Sequence, residues 1–243
     1  MKPCWHPLLV TILLICSGPA PAQQGAAIPA FSELPGLAPE HGWEALEFPD
    51  IDRHTRYQLV TDDEEGQVVE AVADNSASGL IARVELQPDN SLILRWRWKV
   101  EGVLEKGDAR RKSGDDYPAR IYVAFEFEPD KASWFERAKR RTVSALFGEE
   151  LPGRALNYIW ANRLPRGEMI ANPYTGDTMM IAVNSGREQL GQWVTVERNV
   201  VADYRDAFGE APPALVGVAI MTDTDNTGER ARARYGDITL SRQ

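Results

Sequence analysis

The chain has 243 residues, of which 43% are hydrophobic, and it carries a formal net charge of −9. That amount of apolar sequence is enough to bury the core of one large domain. The acidic balance argues against general binding of nucleic acid or of an anionic membrane surface.

Residues 1–22 are predicted to be a secretory signal peptide. Lys2 gives a short positive start, and an apolar run follows at residues 8–16. Small residues at Ala20 and Ala22 suit a signal peptidase, with cleavage expected after Ala22. The apolar run is too short to span a bilayer. We therefore expect an exported protein, either periplasmic or secreted.

The two cysteines of the chain, Cys4 and Cys16, both lie in this N-terminal segment. After cleavage the chain would contain no disulfide, no thiolate nucleophile and no cysteine-ligated metal. A lipid anchor on Cys16 is the alternative interpretation. Ile15 argues against it, because lipoprotein sites require a smaller residue before the cysteine.

Residues 23–42 are rich in Ala, Pro and Gly, and this composition predicts a flexible lead-in. Residues 43–243 are predicted to form a single β-sandwich domain. Its first strand-like runs are residues 57–60, 68–73 and 80–86. The last two flank a stretch of small residues that is typical of a turn.

Two strands are indicated by a strict alternation of apolar and polar residues, Leu92–Val100 and residues 119–127. In the first, Trp96 and Trp98 share the apolar face, whereas Arg95 and Arg97 share the other. Alternation of this quality is typical of half-buried antiparallel strands. The two tryptophans are therefore expected in the core.

Two helices interrupt the strands. Asp130 could begin an inserted amphipathic helix that ends at Gly148. A short second helix is predicted to begin after Asn199 as its N-cap and to end at Gly209. Further strands are predicted at residues 156–161, 179–184, 193–198, 215–222 and 232–240. The pattern predicts an all-β fold, an antiparallel β-sandwich of jelly-roll type.

The polar strand faces supply candidate ligand-binding residues. Arg95, Arg97, Arg120 and Tyr122 would share one sheet face if their two strands were neighbours. Aromatic rings stack on the apolar faces of sugars, and guanidinium groups bind hydroxyls or carboxylates. The full candidate set is Arg95, Arg97, Arg120, Tyr122, Trp160 and Tyr174. In the alternative interpretation these side chains contact the inserted helix or acidic neighbours such as Glu126.

The segment at residues 223–228 is rich in oxygen-bearing side chains, which suits Ca²⁺. Asp223 and Asp225 are its candidate ligands. The segment does not match an EF-hand loop, because Thr227 and Arg234 occupy positions at which that loop requires an acidic or amide ligand. A different calcium geometry stays open, and the favoured alternative is a hairpin whose polar residues form the turn.

Residues for catalysis are scarce. Only His41 and His54 follow the predicted signal peptide, and no phosphate-binding, dinucleotide or HExxH motif is present. The pair Asp115-Asp116 could act with Glu126 or Asp223 as two glycosidase carboxylates. A loop acid pair, or an ion pair with Arg120, is the favoured interpretation.

Several short motifs together resemble a known family. They are Trp96-Arg97-Trp98-Lys99-Val100, Asp115-Asp116-Tyr117-Pro118-Ala119-Arg120, Tyr158-Ile159-Trp160, Asn172-Pro173-Tyr174, Arg198-Asn199-Val200 and Asp223-Thr224-Asp225-Asn226-Thr227-Gly228. In this order they resemble domain of unknown function 3047, an exported bacterial family, over about residues 43–241. The resemblance implies no catalytic residues. The C-terminal pattern is also similar to galactose-binding-like jelly rolls of carbohydrate-binding modules, and this implies Asp237 as a further calcium ligand.

These features predict a non-catalytic module that binds a carbohydrate or another ligand of the cell envelope. No cofactor other than calcium is expected, and no nucleic-acid partner. Two alternatives stay open. One is a polysaccharide lyase or glycosidase on the same sandwich, and the other is a structural or assembly protein of the envelope.

Overall fold

Strands with one apolar face pair into two sheets that pack against each other. The structure is a computed structural model, and it describes residues 28–130 and 153–242. The seven-stranded sheet has the order β1-β4-β11-β6-β7-β9-β8. The six-stranded sheet has the order β10-β5-β12-β3-β2, and β13 also pairs with β5. The predicted jelly-roll β-sandwich is therefore confirmed.

The strands have the following bounds: β1 Glu44–Leu46, β2 Arg56–Asp62, β3 Gly66–Asp74, β4 Ala77–Leu86, β5 Leu92–Val100, β6 Arg120–Phe125, β7 Ala155–Ala161, β8 Met169–Asn172, β9 Thr175–Ser185, β10 Val194–Asn199, β11 Leu215–Asp223, β12 Arg230–Tyr235 and β13 Thr239–Arg242. All strand pairs are antiparallel except β7 with β9, which run parallel.

The core lies between the sheets and is centred on aromatic side chains. Trp96 and Trp98 of β5 are fully buried, as the alternation predicts. Across the interface, Trp96 packs on Tyr158 with ring centroids 5.2 Å apart, and Trp98 packs on Trp160 at 6.0 Å. Large aromatic rings bury much apolar area at once, so this cluster is a major source of stability.

The chain changes sheets where turns were expected. β3 belongs to the six-stranded sheet and β4 to the seven-stranded sheet. Asn75 connects them in a left-handed conformation (φ 48°), which asparagine tolerates better than most residues. β11 and β12 also belong to different sheets, so the hairpin expected at residues 223–228 is wrong. That loop instead crosses from one sheet to the other.

Two strands, β1 and β8, were not predicted from the sequence. Both are short edge strands whose residues show little alternation. The predicted closing strand at residues 232–240 is divided into β12 and β13. The division falls at Asp237, whose carboxylate accepts hydrogen bonds from the N–H and the hydroxyl of Ser32, at 2.9 and 2.6 Å.

The short second helix is confirmed as α1, Val200–Phe208. The Oδ1 atom of Asn199 accepts a hydrogen bond from the N–H of Ala202 at 2.9 Å, which is the expected N-cap. Gly209 ends the helix in the left-handed conformation (φ 76°). The inserted helix predicted after Asp130 lies outside the described residues.

Part of the predicted flexible lead-in is packed on the sandwich. Two 3-10 turns form at Phe31–Glu33 and Pro39–His41. Phe31 is fully buried and stacks on Trp43, with ring centroids 4.5 Å apart. Residues 28–42 thus belong to the folded part of the chain, because their apolar side chains close one end of the core. No helix in residues 28–130 and 153–242 is long and apolar enough to cross a membrane.

Candidate functional site

The two pairs of strand residues expected to share a groove lie on different sheets. β5, with Arg95 and Arg97, pairs with β10, β12 and β13 in the six-stranded sheet. β6, with Arg120 and Tyr122, pairs with β11 and β7 in the seven-stranded sheet. The polar faces of the two sheets of a sandwich point in opposite directions. The predicted common groove is therefore wrong.

Trp160 is likewise not available to a ligand. Its side chain is fully buried against Trp98 in the core, and its indole N–H donates to the carbonyl oxygen of Gly186 at 3.1 Å. The same alternation that places Tyr158 in the core places Trp160 there as well. Its assignment as a ligand-binding residue is therefore wrong.

Arg120 forms a buried ion pair with Asp223, and only 3% of each side chain is exposed. The Nε–H of Arg120 donates to Asp223 Oδ1 at 2.8 Å, and Nη2 donates to Oδ2. Burial by itself lowers the pKa of Arg120, but Asp223, Tyr122 and Asp115 together outweigh burial and raise it. Arg120 therefore stays charged and fixes the end of β6 to the end of β11.

The remaining guanidinium donors of Arg120 bind two neighbours. Nη1 donates to the hydroxyl of Tyr122 at 3.0 Å, and Nη2 donates to the carbonyl oxygen of Asp115. The carboxylate of Asp115 is 3.8 Å from Nη1. This agrees with the ion-pair interpretation of the acid pair, although Asp223 is the closer partner.

A group of acids surrounds this pair. One carboxylate oxygen each from Asp116, Asp223 and Asp225 lie within 4.8 Å of one another. Asp116 accepts hydrogen bonds from the N–H groups of Asn226 and Thr227, at 3.3 and 2.6 Å. Burial, followed by the charge of Asp116, raises the pKa of Asp225. The group therefore holds three carboxyl groups beside the guanidinium of Arg120, and Asp225 keeps its proton more readily than a free aspartate does.

This acidic group includes two of the three predicted calcium ligands, Asp223 and Asp225, and Asp116 joins them. Asp237 does not belong to it, because its carboxylate binds Ser32. Carboxylate oxygens are the donors that Ca²⁺ prefers. The oxygens of Asp223 already bind Arg120, however, so calcium here stays a prediction.

Tyr174 lies at the surface beside the same group. It lies in the turn between β8 and β9, where Asn172 Oδ1 accepts a hydrogen bond from the Tyr174 N–H at 2.9 Å. Its side chain is the one large hydrophobic group among residues 28–130 and 153–242 that is exposed, at 54%. Lys112 Nζ lies 5.0 Å from the ring centroid, and the Tyr174 hydroxyl donates to the Lys112 carbonyl at 3.2 Å.

Asn172 connects the surface ring to the buried acids. Its Nδ2 donates to Asp115 Oδ2 at 2.8 Å. Asn172 and Asp116 were not among the predicted site residues. Both stand in the motifs that resemble the known family, so the motifs contained the signal, but a single sequence does not show that the two loops meet.

Comparison with known proteins identifies the family. A family model described as "Protein of unknown function (DUF3047)" matches residues 41–239. The chain belongs to this family. The match covers β1 to β12 in full and only the first residue of β13, Thr239. No curated protein matches the chain.

Solved structures with a similar arrangement of strands include several carbohydrate-related proteins. A family 11 carbohydrate-binding module from Clostridium thermocellum, in complex with a mixed-linked tetrasaccharide, is 9% identical with a TM-score of 0.40, over 88% of this DUF3047 chain and 94% of that one. An adhesin domain of Lys-gingipain from Porphyromonas gingivalis is 8% identical with a TM-score of 0.39, over 90% and 99% of the two chains. A xyloglucanase domain from Sinorhizobium fredii has 8% identity and a TM-score of 0.35, over 85% and 97%. Scores this low carry no inference about the ligand.

Proposed function

We propose that this chain is a non-catalytic module of an exported protein and that it binds a carbohydrate or a similar polyhydroxylated ligand of the cell envelope. The observation that carries the proposal is the exposed ring of Tyr174, held beside a set of amide and carboxylate groups. No nucleic-acid partner is part of the proposal, because the site is acidic.

The arrangement around Tyr174 suits a sugar. An aromatic ring gives an apolar platform for the C–H face of a sugar. Asn172 and Asn226 are half-buried beside the ring, and their amide groups can bind hydroxyl groups. The hydroxyl of Tyr174 is 3.4 Å from Asn226 Oδ1, so the ring is fixed in place before a ligand arrives.

The lyase alternative receives less support from the same residues. A tyrosine base needs a pKa close to the working pH, and burial raises the pKa of Tyr122 to about 12. Arg120 would have to bind a uronate, but its donors bind Asp223, Tyr122 and Asp115. For the envelope assembly alternative, no described feature favours a protein partner over a sugar.

Affinity electrophoresis through gels that contain single polysaccharides tests the proposal. We expect at least one polysaccharide to retard the wild-type chain. Tyr174→Ala should weaken the retardation by about two- to tenfold, since stacking on an aromatic ring contributes about 0.5–1.5 kcal/mol.

Tyr174→Phe is the matched control, because it keeps the ring and should keep most of the affinity. Retardation that is equal in wild type and Tyr174→Ala would place the ligand elsewhere. Release of unsaturated products from a uronate polymer would instead support the lyase.

A further inference from the structure

An open notch lies on the outer face of the six-stranded sheet, where β5 ends beside β12. The two strands pair only from Ala233 to Tyr235 of β12, and the N–H of Glu101 then donates to the carbonyl oxygen of Arg232 at 3.1 Å. Gly102 follows, and a methyl group in place of its hydrogen would meet no described atom from elsewhere in the chain within 4 Å. The early end of β5 and the missing side chain therefore leave space beside the start of β12.

The notch has the size of a small-ligand site. Its volume is about 460 Å³, and pockets for small molecules in proteins have about 300–1,000 Å³. Half of its lining residues, such as Val72 and Gly102, have no polar side chain. The other half are two acids and two arginines: Asp74, Glu101, Arg230 and Arg232.

These charged side chains are accessible and loosely paired. The side chain of Arg230 is 80% exposed, and its Nη2 lies 3.0 Å from Asp74 Oδ2. The side chain of Glu101 is 52% exposed, and its Oε1 lies 3.4 Å from Arg232 Nε. Exposed ion pairs contribute little to stability, so a ligand can replace or share them at small cost. A guanidinium has five donors and a carboxylate has several acceptor sites, and one such pairing does not use them all.

The charges around the notch are balanced. Asp74 also faces Arg53 at 3.7 Å, and Arg232 also binds the buried Glu70 at 2.7 Å. Three guanidinium groups therefore accompany three carboxyl groups. A ligand with charges of one sign would meet like charges here, whereas a ligand with both signs can place each beside its opposite.

The lining does not suit a sugar. None of the described residues that line the notch is aromatic, so no ring is available for stacking on a sugar. The notch differs in this respect from the surface around Tyr174, which lies on the other sheet.

We infer that the notch binds an amino acid or a short peptide that carries both a free ammonium and a free carboxylate group. The ligand carboxylate binds Arg230, because Arg232 is already held by the buried Glu70. The ligand ammonium binds Glu101, because Asp74 already faces two guanidinium groups. This site goes beyond the proposed function in both its place and its ligand.

Titration of the labelled protein with the dipeptide alanylalanine, followed by amide chemical shifts in NMR spectra, tests the inference. We expect saturable shifts at residues 72–74, 101–102 and 230–232. N-acetyl-alanylalanine lacks the ammonium, and alanylalanine amide lacks the carboxylate. Each derivative should bind about two- to fivefold more weakly than the dipeptide, which is the effect of one exposed ion pair.

Two variants assign each ligand charge to its partner. Arg230→Gln should weaken binding of alanylalanine by about two- to fivefold and leave binding of its amide unchanged. Glu101→Gln should weaken binding of alanylalanine to the same extent and leave binding of the acetylated derivative unchanged. Both side chains are exposed, so neither variant should lower the Tm appreciably.

Arg83→Gln is the matched control. Arg83 is also an exposed arginine in an ion pair, 3.1 Å from Glu44, but it lies on β4 of the other sheet. This variant should bind alanylalanine as the wild type does.

The other outcomes would overturn the inference. Equal binding of the dipeptide and its two derivatives, or tighter binding of a neutral oligosaccharide in the notch, would contradict the ligand class. No shifts in the notch, or unchanged affinity in both Arg230→Gln and Glu101→Gln, would contradict the site. Shifts there that grow with protein concentration alone would assign the notch to contact between two copies of the chain. None of these results affects sugar binding at Tyr174, so the proposed function is tested separately.

Discussion

The carboxylate of Asp223 links three parts of the chain that are distant in sequence. It accepts from the guanidinium of Arg120 and from the N–H of Tyr117, at 2.8 and 3.2 Å, at the end of β11. The ring of Tyr117 lies 4.3 Å from the guanidinium carbon of Arg120. These contacts hold the loop before β6 over the end of the sheet, where the candidate site lies.

Replacing Asp223 with asparagine should therefore destabilise the protein strongly. A buried ion pair that loses one partner costs about 3–5 kcal/mol. The cost here should lie near the lower end, because Asp115 Oδ1, 3.8 Å from Arg120 Nη1, still faces the guanidinium. For a chain of this size we expect the Tm to fall by roughly 6–20 °C in thermal denaturation.

The exposed pair of Arg83 and Glu44, 3.1 Å apart, supplies the control. Glu44→Gln should change the free energy of unfolding by about 1 kcal/mol or less, because solvent screens the pair. Equal effects of Asp223→Asn and Glu44→Gln would contradict the role given to the buried pair.

At the scale of single residues, the sequence predicts which kinds of contact form better than it predicts which residues form them. The sequence predicts an ion pair of Arg120 with the acid pair Asp115-Asp116, which lies close to it in sequence. The closer partner, Asp223, is 103 residues away. Strand register decides that contact, and alternation within one strand does not specify which strand lies beside it.

At the scale of elements, most strands follow from their alternation, whereas their sheets do not. β5 and β6 both show a clear apolar face, and both are found where expected. Nothing in either pattern reveals that they belong to opposite sheets, and this is why the predicted groove fails. Helix α1 is easier to predict from the sequence, because Asn199 and Gly209 mark its two ends locally.

The segment before β1 offers a test at the same scale. Phe31 is buried and stacked on Trp43, so Phe31→Ala should cost about 3–5 kcal/mol, the usual loss for a large side chain in a core. Chemical denaturation measures this directly. Phe31→Leu is the conservative control and should lose much less. An unchanged free energy of unfolding in Phe31→Ala would contradict this packing and would support the prediction of a flexible lead-in.

At the scale of the whole molecule, the two outer faces differ in their chemistry. On the six-stranded sheet, charged side chains pair with one another. Glu70 accepts from Arg232 at 2.7 Å and Asp62 accepts from Arg234 at 2.6 Å. On the seven-stranded sheet, Asn157 and Asp115 retain unpartnered atoms within the described structure. The polar groups of the second face are therefore less completely hydrogen-bonded by the protein itself than those of Glu70 and Asp62.

The central claim is that a carbohydrate binds beside the exposed ring of Tyr174. Titration of the labelled protein with a neutral oligosaccharide, followed by amide chemical shifts in NMR spectra, tests it most directly. We predict saturable shifts concentrated at residues 112–116, 172–174 and 226. Shifts confined to the outer face of the six-stranded sheet, around Arg95 and Arg97, would contradict the claim.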